Sequence, residues 1–185
     1  MHILVKLAKE AVENYIKTKN IINPISETPA EFLNKKSGVF VTIYQPSMFQ
    51  ATEKNNKQLR GCVGTFLATK ENIALETINN AISAATKDNR FDPVSELELS
   101  DLIYQVSILN TPQLVKNISD LDPKKYGLII GTSLESEVRK FGLLLPDLEG
   151  IESVDEKIAI VCRKADIDLA KDKIILYSFT TEKYI

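Results

Sequence analysis

A chain of 185 residues that is 44% hydrophobic can bury a sizeable core, as one generous domain or two small ones, which excludes global disorder. Its 23 Lys and Arg against 25 Asp and Glu give a formal charge of -2, so no whole-chain field draws it to phosphate backbones. Cys62 and Cys162 stand a hundred positions apart without a CxxC, and the single histidine is His2, a pattern that argues against zinc and for free thiols in a reducing, cytoplasmic setting.

The N-terminal stretch MHILVKLAKEAVENYIKTK is interrupted by Lys6, Lys9 and Glu10 before any signal-peptide core, and no later run reaches membrane-spanning length. Leu4, Leu7, Ala8, Ala11, Val12 and Tyr15 recur at helical spacing, which predicts an amphipathic first helix. In TPAEFL, Thr28, Pro29 and Glu31 stand at the cap, first-turn and capping-box positions of a short second helix that ends near Ser37 and Gly38. The β-branched and aromatic run GVFVTIY (38–44) predicts a strand, and QLRGCVGTF (58–66) its partner across a polar loop containing Pro46 and Asn55-Asn56.

Ile73, Ala74, Ile78, Ala81, Ile82 and Ala85 then predict a helix, and DLIYQVSIL (101–109) a third strand, giving a ββαβ unit. The order repeats in YGLIIG, VRKFGLLLP, SVDEKIAIVCRKA and a closing strand KDKIILYSFTTEKY, with Ser153 and Glu156 placed for a capping box. Two ββαβ-like units predict an α+β fold of two-layer, antiparallel-rich sheets flanked by helices. Cys162, with Ile158, Val161 and Ala165, falls on one helical face and reads as core.

The chemistry-bearing residues cluster in LRGCVGT. Regular alternation would put Arg60, Cys62 and Gly64 on one face, so that a guanidinium favours the thiolate of Cys62. Gly61 and Gly64 would permit a bulge, or the close approach of a ligand to the backbone. The competing reading makes Cys62 a small buried hydrophobe, the glycines shapers of a bulge, and Arg60 a surface charge. Further on, KDNRFDP puts Asp88 at a helix end, where the helix dipole disfavours an anion; it serves either a turn bonded to its own backbone or the same site as Arg60 and Cys62. No GxxxxGK[ST] or GxGxxG loop is present, and nothing in these motifs implies a cofactor or a metal.

LRGCVGT closely resembles the signature LRGCIGT of the AMMECR family, named after the Alport syndrome, midface hypoplasia and elliptocytosis chromosomal region. The resemblance extends through GVFVTI, DNRFDP, VSILNTP and FGLLLP to the C-terminal helix and strand. It implies two unequal α+β domains with the signature near the cleft between them: a larger one built from both chain ends (1–36 and 112–185) and a smaller one (37–111) carrying LRGCVGT. It also implies that Leu59, Arg60, Gly61, Cys62, Gly64 and Thr65 belong to the family's functional site, with Asp88, Arg90, Phe91 and Pro93 as a second shared group. The chain departs from the family pattern at Asp147, where many members carry glutamine, at Gln105, where many carry an acid, and in having no tryptophan.

The family defines no reaction, so two functions stay open. In the first, Arg60 and Arg90, with backbone amides near Gly61 and Gly64, bind a small anionic ligand, an RNA segment or a protein partner. In the second, Cys62 is a thiolate nucleophile or carrier with Arg60 beside it, in an enzyme of a modification pathway; relatives joined to Memo-family and radical-SAM proteins imply such partners. No membrane is expected in either case.

Overall fold

Helix α1 (Ile3–Thr18) buries Leu4, Leu7, Ala8, Ala11 and Val12, the stripe predicted from periodicity, and starts where His2 Nδ1 accepts a hydrogen bond from Leu4 N. The computed structural model describes residues 1–47, 57–133, 139–148 and 150–185; Asn55-Asn56, Val138 and Glu149 lie outside them. A short α2 (Ala30–Asn34) follows, but without the expected capping box: Pro29 occupies the cap position, and the Thr28 hydroxyl is buried without a partner among the described residues.

Strand β1 (Val39–Pro46) pairs antiparallel with β2 (Lys57–Gly64) on one side and with β3 (Ile103–Leu109) on the other, while α3 (Ile73–Thr86) links β2 to β3. Val39, Val41 and Ile43 point into a core shared with Leu4, Ala8 and Val12 of α1, Ala81 and Ala84 of α3, and Tyr104, Val106 and Ile108 of β3. Alternation leaves Phe40, Thr42 and Tyr44 on the opposite face of β1.

The second ββαβ set repeats this plan. Strand β4 (Gln113–Leu114), not anticipated from sequence, precedes β5 (Gly127–Thr132) and β6 (Phe141–Leu144); α4 (Val154–Lys164) then leads to β7 (Ile174–Phe179). The sheet orders are β2-β1-β3-β8 and β4-β7-β5-β6, so each hairpin receives its third strand beside the first strand of the pair. The capping box of Ser153 and Glu156 starts α4, and Cys162 is buried among Leu128, Ile130, Val161 and Leu176, with burial pushing its thiol up in pKa.

The expected single closing strand is two. Strand β7 belongs to the second sheet, the chain breaks at Thr180, and β8 (Thr181–Tyr184) joins the first. The compact units are therefore residues 1–108 with 182–185, and 109–181. This differs from a division at 36 and 112: α1 packs against α3, with Leu7 and Ala11 meeting Ala74, Ile78 and Ile82, which holds it in the unit that carries LRGCVGT.

Candidate functional site at the edge of the first sheet

Among the described residues, strand β2 is an edge strand, paired only with β1. Gly61 lies opposite Ile43 and Leu59 opposite Tyr44, so Arg60 has no partner and forms a bulge. The bulge interrupts the alternation that would have placed Arg60 beside Cys62. Instead Arg60 is only 9% exposed and its guanidinium is spent internally. Nε donates to Glu98 Oε1 at 2.6 Å, Nη2 to Glu98 Oε2 at 3.3 Å, and Nη1 to the Asp92 carbonyl at 2.9 Å.

Glu98 was not anticipated as part of the site, although Ser95 three positions earlier gives the signal of a capping box, and that box forms. The Arg60 hydrogen bond is the largest influence holding the Glu98 carboxyl down at about 2; burial opposes it and Ser95 adds to it.

Thr42 and Cys62 are directly opposed on β1 and β2, and their side chains meet, Oγ1 to Sγ, at 3.3 Å. The Cys62 backbone groups point away from β1, as in a non-hydrogen-bonded antiparallel pair, and would be left open at the sheet edge. Side chains from the loop after α3 close them: Cys62 N donates to Asp88 Oδ2 at 2.7 Å, and Arg90 Nη2 donates to the Cys62 carbonyl at 3.4 Å. Asp88 and Arg90 thus do at Cys62 what a neighbouring strand would do.

Asp88 also accepts from Arg90 Nε at 2.9 Å, Arg90 Nη2 at 2.7 Å and the Arg90 backbone N at 3.2 Å. It therefore serves the local turn and the site together. The Arg90 hydrogen bond, against the cost of burial and with help from Cys62 N, holds Asp88 down at about 2. Arg90 is raised in turn, mainly by Asp88, with the charge of Cys62 contributing. Phe91 lies under both cations, its ring centroid 6.0 Å from Arg60 Cζ and 5.4 Å from Arg90 Cζ.

The glycines answer to packing. A Cβ on Gly61 would lie 2.2 Å from the Ala84 carbonyl of α3, and one on Gly64 would lie 2.2 Å from Phe40 Cγ. What approaches the backbone at these positions is the protein itself. Thr65 turns to a different task, donating to Glu76 Oε1 at 2.8 Å, while Leu59 is partly exposed at the strand's outer end. Of the anticipated residues, Cys62, Asp88 and Arg90 are joined by hydrogen bonds and Arg60 meets Arg90 at the Phe91 ring, with Arg90 rather than Arg60 as the cation beside the sulfur. Among the described residues, no group of three or more His, Cys, Asp or Glu is placed to hold a metal ion.

The AMMECR1 family model matches residues 5–184. The chain belongs to the AMMECR1 family. A Thermotoga maritima protein is 43% identical over 183 residues, covering 99% of this chain and 97% of the relative. A Clostridium acetobutylicum protein is 39% identical over 182 residues, covering 98% of this chain but 34% of that longer relative. A crystal structure of an uncharacterised Pyrococcus horikoshii protein shares the fold at a TM-score of 0.80 and 33% identity, covering 97% of this chain and 88% of that one. Among the described residues of this AMMECR1-family chain, no helix is long and apolar enough to cross a membrane.

Both depressed carboxyls make this corner acid-sensitive. Free Asp and Glu titrate near ~3.9 and ~4.3, so with native values of about 2 their stabilisation is fully present above those unfolded values and is lost as pH falls toward 2. For Asp88, whose side chain is buried, the loss is on the order of 2 kcal/mol. Urea midpoints measured from pH 6 to pH 2 are expected to fall most steeply below pH 5, and Asp88→Asn should flatten that fall while lowering stability at pH 7.

Proposed function

We propose that this protein binds a small anionic ligand at the corner formed by Arg90 and Cys62. The observation that carries the reading is the contrast between the two arginines of the cluster. Arg60 is sunk among Glu98 and the Asp92 carbonyl, whereas the Arg90 side chain is 52% exposed. Asp88 holds Arg90 by Nε and Nη2, which fixes the plane of the guanidinium and leaves Nη1 outside those bonds. A pre-oriented, half-exposed guanidinium suits a phosphate or carboxylate, because little side-chain entropy remains to be lost on binding. RNA and an acidic protein segment present the same groups, but the net charge of -2 supplies no long-range attraction for a polyanion.

The test is a calorimetric titration with inorganic phosphate and with citrate. Arg90→Gln should weaken binding by roughly tenfold or more, as expected for loss of a charged hydrogen bond. Cys62→Ser should retain it. Unchanged binding in a folded Arg90→Gln protein would remove the reading.

A second reading, an enzyme of a modification pathway working beside Memo-family or radical-SAM proteins, draws on the sulfur. Cys62 is half-buried rather than sealed, the Thr42 hydroxyl at 3.3 Å could donate to a thiolate, and the Arg90 charge lies close enough to interact with it. That reading requires rapid alkylation by iodoacetamide at neutral pH, and loss of activity in Cys62→Ser with the fold intact.

A further inference from the structure

The two faces of the second sheet differ. Helix α4 packs Val161 and Cys162 onto the side that carries Leu128, Ile130, Leu144 and Leu176. Alternation turns their neighbours to the other side. There the register lays Leu114, Tyr177, Ile129 and Leu143 in one row across β4, β7, β5 and β6, and Ile175, Gly131 and Phe141 in the next. None of these residues is charged, and Leu114, Tyr177 and Phe141 are 57%, 37% and 59% exposed. Arg139 and Lys173 stand one alternation further along, so charge keeps to the rim.

Gly131 lies in the middle of the second row. Among the described residues, only the Lys140 carbonyl oxygen at 3.6 Å and Phe141 Cβ at 3.8 Å come near the place where its Cβ would stand, whereas at Gly61, Gly64 and Gly127 the chain itself fills that place. A glycine inside a strand weakens it and often marks a point where another group approaches closely. Gly131 and Phe141 are directly opposed on β5 and β6, so a dimple and an exposed ring stand side by side. Such a pair is self-complementary: a two-fold axis passing between them seats the ring of each copy in the dimple of the other. The composition agrees, since an uncharged centre inside a polar rim is that of an interface between identical subunits, and flat sheet faces pack on one another about 10 Å apart. Four strands and two rows of side chains amount to roughly 500 Å² on each copy, about 1,000 Å² in a pair, which is enough for a reversible association and too little for a permanent one.

We propose that this face of the second sheet docks on the same face of a second copy of the chain, in a reversible two-fold dimer with Phe141 of each copy seated at Gly131 of the other. The surface is separate from the Arg90 corner, and neither reading depends on the other.

Sedimentation velocity of the full chain, over a concentration series from about 1 to 500 μM, should show monomer passing to dimer with a dissociation constant on the order of 10 μM. Phe141→Ser removes the ring and Gly131→Val fills the dimple, and each should raise that constant roughly tenfold or more. Both variants should keep the melting temperature of dilute protein within about 4 °C of the parent, which separates loss of the pairing from loss of the fold. Leu67→Ser, at an exposed position of the first unit, should leave the dimer unchanged. A chain that stays monomeric throughout overturns the proposal, as does a dimer indifferent to both face substitutions. A dimer lost with Phe141→Ser but untouched by Gly131→Val upholds the face and overturns the seating. A monomer that floats with phosphatidylglycerol vesicles, and no longer does so as Phe141→Ser, overturns the proposal and gives the face to a lipid surface.

Discussion

Gly61→Ala is expected to cost at least about 3 kcal/mol, and to lower the melting temperature of the first unit by roughly 6–12 °C, whereas Gly131→Ala should be close to neutral. The difference follows from what each new methyl would meet. At Gly61 it would stand 2.2 Å from the Ala84 carbonyl oxygen, and neither partner is a flexible side-chain end: one is strand backbone, the other helix backbone. Relief requires α3 to lift away from β2, which would open the core around Ala81, Ala84 and Val41. At Gly131 the nearest atom, the Lys140 carbonyl oxygen, is 3.6 Å away, an ordinary contact. Thermal denaturation of both variants decides the matter. A Gly61→Ala protein as stable as the parent would mean that the glycine is kept for some other purpose.

Glu76→Ala should be of similar severity, on the order of 3–5 kcal/mol, because it strips the acceptor from several donors at once. Glu76 is fully buried in α3, and its carboxylate accepts from Thr65 Oγ1 at 2.8 Å, Thr69 N at 2.6 Å, Thr69 Oγ1 at 3.0 Å and Lys70 N at 2.7 Å. Burial pushes its pKa up, but these hydrogen bonds outweigh it and hold the carboxyl below its usual value. Its stabilisation is therefore present at neutral pH and lost on acidification. Glu76→Gln keeps one oxygen but turns an amide donor toward the donors that the second oxygen served, so it should be less damaging than alanine and still clearly destabilising. Equal stability of Glu76→Gln and the parent, by urea titration at pH 7, would show that the second oxygen contributes nothing.

Much of the fold was legible because it is written in short-range periodicity. The stripe of α1, the β-branched run of β1 and the apolar face of α3 are all local patterns, and each became the element its period implies. The closing segment misled because 171–184 is continuously strand-like in composition; what divides it at Thr180 is the presence of two different sheets, a long-range fact. The missing α2 cap has a similar origin, since Thr28 is buried by tertiary packing rather than turned to the helix end.

Within the candidate site, residue types were readable and partners were not. A one-residue bulge redirects Arg60 to Glu98, 38 positions away, and Arg90 takes the place beside Cys62. Nothing in the spacing of LRGCVGT encodes that exchange. Glu76 and Lys157 escaped notice for the same reason. Lys157 is wholly buried, with Nζ donating to the carbonyls of Tyr126 and Leu145, although a lysine on a short amphipathic helix ordinarily reads as solvated.

The return of β8 to the first sheet makes residues 109–181 an insertion within a unit that is otherwise continuous. The two ends of that host unit are fastened together: the His2 and Tyr184 rings stack with centroids 3.9 Å apart, and Phe32 meets both edge-on. Entry and exit of the polypeptide therefore share one doorway. A domain built this way can be spliced into a surface loop of another protein without prising that loop's flanks apart.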